Sequence, residues 1–150
     1  RSSKAAKEGT IASYIHMGGR IGVLVEVNCE TDFVAKTDDF QAMARDLAMH
    51  VAASNPRYVR SEEIPTADLE REKEIYRSQL IAEKKPEKIW DKIIEGKLNK
   101  YYEEVCLLNQ KFIKNTDISV GTLVTNMMAK TGENIIVRRF ARFQLGEELG

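Results

Sequence analysis

Met17, Gly18 and Gly19 stand between two β-rich runs, TIASYIH (residues 10–16) and RIGVLVEVN (residues 20–28). Glycine takes the positive φ angles that a tight reversal demands, so this pair closes a hairpin and commits the start of the chain to an antiparallel sheet. The second run is apolar on both faces near its centre, between Ile21 and Val27, which predicts a buried strand. A last β-rich run, residues 133–144, carries Ile135, Ile136, Val137, Phe140 and Phe143 among Arg138, Arg139 and Arg142.

Between hairpin and last strand the apolar period changes from two to three and four. Phe40, Met43, Ala44, Leu47, Ala48, Val51 and Ala52 form one stripe. Asp38 with Gln41 resembles a capping box ahead of it, and Asn55-Pro56 is the stop. After a short extended piece at residues 57–59, a second helix is expected over residues 66–83 with Leu69, Tyr76 and Leu80 inward. Pro86 is placed to open a third, where its missing N–H costs nothing. Its stripe runs Ile89, Trp90, Ile93, Ile94, Leu98, Tyr101, Tyr102, Val105, with Gly96 as a weak point. A fourth helix spans residues 119–130 and stops at Gly132, a residue suited to a left-handed cap. The predicted class is α+β: an antiparallel three-stranded sheet, hairpin plus final strand, packed against helices inserted between them.

With 150 residues, 43% of them apolar, the chain suffices for one sizeable core. Basic and acidic residues number 23 each, so no electrostatic excess exists to neutralise a phosphate backbone, which argues against a nucleic-acid ligand. No apolar run approaches the roughly 18 residues of a membrane span. Cys29 and Cys106 lie in unrelated contexts and read as reduced core thiols; with His16 and His50 they show no paired metal-ligand spacing.

The motifs of bond-making chemistry are missing from the sequence. There is no Gly-Lys-Ser/Thr phosphate loop, no Gly-x-Ser-x-Gly elbow and no identifiable cysteine-histidine pair. Asp38-Asp39 is the acidic first turn of a helix, facing the positive end of its dipole. This pattern calls for no cofactor and no metal.

Phe33, in Thr31-Asp32-Phe33-Val34 between a strand and a helix cap, carries two readings: it either folds back as a core staple or is held out as an anchor for a partner's pocket. His50, near the edge of the apolar stripe, reads as a packed or hydrogen-bonded structural group.

The segment EVNCETDFVAK (residues 26–36) matches the signature of elongation factor Ts, and the chain resembles that family at further blocks in order: RIGVLV (20–25), AMHVAASNP (48–56), EGKLNKYYEEV (95–105) and GENIIVRRF (132–140). The resemblance implies a guanine-nucleotide exchange factor, acting by protein contact on elongation factor Tu in a bacterial cytoplasm or an organelle. It implies that Asp32 and Phe33 enter the partner's nucleotide-binding domain near the magnesium site, and that His50, Ile21 and Gly22 are partner contacts. Longer members carry two core copies and short ones one, so a homodimer is expected, held by packing because Ala141 stands where short members can carry a linking cysteine. Residues 9–150 correspond to the core and dimerisation domain. Residues 1–8 read as a linker, or as the remnant of an amino-terminal helical domain whose loss would leave a module that clamps the GTPase without efficient exchange.

Overall fold

A computed structural model describes residues 6–150 and resolves the expected α+β class. Strands β1 (Glu8–His16) and β2 (Ile21–Cys29) form the hairpin, and β5 (Ile136–Gln144) adds to the far side of β2, giving the antiparallel order β1-β2-β5. The reversal uses four residues, with Met17, Gly18 and Gly19 all at positive φ and the His16 carbonyl accepting from the amides of Gly19 and Arg20. The linker reading of residues 1–8 falls mostly outside the described residues; Glu8 already pairs with Cys29.

Helix α1 (Asp32–Ala35) is a single turn. Helix α2 (Asp38–Ser54) then runs back across one face of the sheet, and its stripe is buried from Phe40 to Ala52 against Ala12, Val23, Val25, Val27 and Cys29. Each valine or leucine so enclosed contributes about 1.5–3 kcal/mol by removing its apolar surface from water. The cap of α2 lies one residue earlier than the sequence suggested: Thr37 Oγ1 accepts from the Phe40 amide at 3.3 Å, while Gln41 Nε2 donates instead to the Ala35 carbonyl at 2.7 Å. Asn55 in the left-handed region and Pro56 end the helix.

Helices α3 (Thr66–Ala82) and α4 (Trp90–Val105) form an antiparallel pair with its own small core of Ile64, Tyr101, Val105 and Cys106. Pro86 caps a 3-10 turn, Glu87–Ile89, and the α-helix proper begins after it. Gly96 lies in α4 without breaking it.

A small hairpin that periodicity did not reveal follows: β3 (Lys111–Phe112) and β4 (Asn115–Ser119). Too short to show alternation, it carries Phe112 into the main core. Helix α5 (Val120–Thr131), capped by Ser119 and ended at Gly132 with φ 73°, leads into β5.

The expectation of apolar cover on both faces of β2 is met on one face only within this chain. Val23, Val25 and Val27 face α2, whereas Leu24 is 52% exposed. Ile11, Ile15 and Phe143 flank it on the same open face, with Ala141 directly opposite Leu24.

Candidate partner-binding site

Phe33 is 81% exposed, although aromatic side chains dominate the apolar content of most cores. Its position follows from α1. Successive side chains on a helical turn point about 100° apart, and Val34 and Ala35 take the inward directions, which leaves Asp32 and Phe33 in water. The staple reading of Phe33 is thereby excluded in this conformation; Phe40 occupies the core instead.

A four-residue helix has no stability of its own, because nucleation costs more than one turn returns. Both ends are tied. Thr31 Oγ1 accepts from the Val34 amide at 3.2 Å and donates to Glu133 Oε2 at 2.6 Å. At the other end the Val34 carbonyl accepts from Thr37 Oγ1 at 2.7 Å. The Cys29 thiol donates to the Thr31 carbonyl at 3.2 Å; burial, and after it the charge of Glu133, pushes its pKa up to about 11, so it keeps that proton. Asp32 pairs with Lys36 at 2.9 Å, a contact that raises the lysine pKa.

Ile21 and Gly22 open β2, opposite His16 and Ile15 on one side and Gln144 and Phe143 on the other. A Cβ at Gly22 would stand 3.2 Å from Ile15 Cδ1. Both residues are half-buried. At about 3.3 Å per residue they lie roughly 26 Å from Cys29 along the strand, so β2 separates them from the Phe33 turn by its whole length.

His50 lies inside, at 0% exposure. Its Nδ1 accepts from the Ile113 amide at 3.2 Å, which leaves the ring proton on Nε2, 2.9 Å from Gln110 Oε1. Gln110 Nε2 in turn donates to the Glu104 carbonyl at 2.9 Å, consistent with that orientation of the amide. Phe112 stacks on the ring with centroids 6.1 Å apart. Burial lowers the pKa of the imidazole, partly offset by the Gln110 bond. The ring therefore does not reach the chain's surface, and both nitrogens are engaged. Two residues beyond it in α2, the Ala52 carbonyl accepts from Arg142 Nη2 at 3.0 Å, and Arg142 pairs with Val23, which puts this part of α2 toward the Ile21 end of the sheet. Local spacing had no signal for Gln110, Phe112 or Ile113, because they arrive from the β3 region sixty residues later.

A rigidly held exposed aromatic, with an apolar sheet face open to solvent, is the kind of surface by which one protein docks on another. Among the described residues, no group of three or more His, Cys, Asp or Glu is placed to hold a metal ion, and no helix is long and apolar enough to cross a membrane.

Residues 1–147 match the family model described as Elongation factor TS. The chain is 80% identical over 149 residues to Elongation factor Ts of Syntrophus aciditrophicus (strain SB), covering 99% of this chain and 74% of that protein. To Elongation factor Ts of Heliobacterium modesticaldum it is 60% identical, covering 99% and 69%; to that of Solibacter usitatus, 52%, covering 100% and 71%. The chain belongs to the elongation factor Ts family, proteins of translation elongation.

Proposed function

We propose that this chain promotes GDP release from elongation factor Tu, with Asp32 and Phe33 as the element that enters the GTPase near its magnesium and phosphate site. Family membership supports the partner and the activity. The observation that carries the residue assignment is the exposure of Phe33 on a turn tied at both ends. A rigid anchor costs little entropy to dock.

Exchange is a linkage problem: factor and nucleotide favour different states of the GTPase, and each weakens the other reciprocally. A weakening of about 10⁴-fold needs roughly 5.5 kcal/mol of differential binding. Burying one phenylalanine supplies only about 1.5–3 kcal/mol. A second surface must contribute, and Ile21 and Gly22 are the proposed positions. His50 contributes indirectly, by holding the Gln110–Ile113 segment against α2.

The apolar sheet face left open in this chain supports a homodimer, in which one partner molecule meets the Phe33 turn of one protomer and the Ile21 end of the other. The open sheet face of Ile11, Ile15, Leu24, Ala141 and Phe143 is the proposed dimer surface. The compartment is that of the translation machinery.

The test is release of a fluorescent GDP analogue from elongation factor Tu. The parent chain should accelerate it and Phe33→Ala should do so far more weakly, while still folding. Equal acceleration by both proteins overturns the assignment to Phe33. Binding without acceleration by the parent identifies a clamp rather than an exchange factor.

A further inference from the structure

We propose that Glu133 is a positioning residue for the Asp32–Phe33 turn, acting from the opposite end of the chain; this rests on the reading of Phe33 above. The β2–β5 ladder ends at the pair Asn28 and Ile136. Beyond it, where no strand pairing remains, two glutamates cross between the segments. Glu133 Oε1 accepts from the amides of Glu30 and Thr31, each at 3.1 Å, and its Oε2 accepts from the Thr31 hydroxyl at 2.6 Å. In the reverse direction, the Glu30 carboxylate accepts from the Asn134 amide.

The chemistry of Thr31 makes this buckle specific. A hydroxyl has one proton to donate and lone pairs with which to accept. Because Glu133 takes the proton, a lone pair of Thr31 Oγ1 is directed at the Val34 amide and caps α1. Glu133 thus orients the cap as well as the two backbone amides that enter the turn. Removing its carboxylate frees the hydroxyl to rotate and leaves the Glu30 and Thr31 amides without these acceptors, and the direction of Phe33 is no longer determined. The neighbouring Glu133 amide donates to Thr31's counterpart at the end of α5, Thr131 Oγ1, at 3.2 Å, so the glutamate is itself anchored.

The experiment compares fluorescent-GDP release from elongation factor Tu catalysed by the parent, Glu133→Ala, Phe33→Ala and the double variant, with thermal melts on each. Glu133→Ala should slow exchange about tenfold, within the coupling range of residues sharing one hydrogen-bond network. In the Phe33→Ala background it should add no further loss, because its effect passes through Phe33. Glu133→Gln, whose amide oxygen still accepts from both amides but whose Nε2 cannot take the Thr31 proton, should recover only part of the rate. Glu133→Asp, which keeps the charge but is one methylene too short, should behave like alanine and serves if the alanine variant does not fold.

Multiplicative losses in the double variant, or a Glu133→Asp protein as active as the parent while Phe33→Ala is strongly impaired, overturn the role of Glu133 and leave that of Phe33 intact. A Phe33→Ala protein as active as the parent overturns both.

Discussion

His50 donates its ring proton from Nε2 to Oε1 of Gln110 across 2.9 Å, in a site closed to water. The neutral imidazole is the form this site accommodates, because burial lowers the pKa from its ordinary 6.5. Above that value the histidine is neutral in both folded and unfolded chains, and the full stability is present. As pH falls below it the unfolded chain takes up a proton that the folded chain resists, so stability declines until the lowered folded value is reached. The slope contributed is at most about 1.4 kcal/mol per pH unit. Urea unfolding between pH 7.5 and 5 should show this slope in the parent and lose it in His50→Phe; an unchanged slope would place the titration elsewhere.

Gln110→Ala should destabilise the fold by about 1–3 kcal/mol, the cost of leaving the buried Nε2–H and the Glu104 carbonyl without a partner. The loss should appear as a lower denaturation midpoint at an unchanged m-value.

The two phenylalanines beside the α2 cap offer a direct contrast. Phe40 is fully buried and Phe33 is 81% exposed, seven positions apart. Phe40→Ala should cost about 3–5 kcal/mol through the lost burial and the cavity left behind. Phe33→Ala should change stability by no more than about 0.5 kcal/mol. A large loss at Phe33 would mean that its side chain packs rather than stands in water.

Glycine substitutions should split by position. A Cβ at Gly96 meets nothing within 4 Å, so Gly96→Ala in α4 should stabilise by roughly 0.5–1 kcal/mol. Gly9 has φ 141°, and a Cβ there would sit 2.1 Å from the Val27 carbonyl oxygen. Gly9→Ala should cost at least about 2 kcal/mol, from backbone strain and overpacking together. Paired melting curves decide both.

Leu24 sits at the centre of the open sheet face, opposite Ser13 and Ala141. Leu24→Lys should leave the monomer fold intact and shift sedimentation velocity from dimer to monomer, because a charge at the centre of an apolar interface is desolvated without a partner. A parent that sediments as a monomer at tens of micromolar would refute the proposed dimer.

Much of this molecule was legible in order along the chain. The glycine pair, the α2 stripe, the stop at Asn55-Pro56 and the cap at Gly132 are local signals, set by backbone freedom and by side-chain period within a few residues. The resemblance of residues 26–36 pointed to the family by the same kind of local reading. What failed was of another kind. The β3–β4 hairpin is too short for periodicity to register, and the capping box at Asp38 lost to Thr37, because Gln41 found the Ala35 carbonyl.

By itself, then, the sequence determined that there would be a hairpin, a stripe-bearing helix, a third strand, and a Thr-Asp-Phe-Val turn between the first two elements. It left open whether Phe33 packs or projects and whether the His50 ring is enclosed within the chain. The tertiary structure decided both through groups distant along the chain. Val34 and Ala35 took the core-facing directions and Glu133 tied the turn from a hundred residues away, which holds Phe33 outward. Gln110, Phe112 and Ile113 closed over His50 from sixty residues away, and a ring with both nitrogens bonded inside is held there by the cost of breaking those bonds.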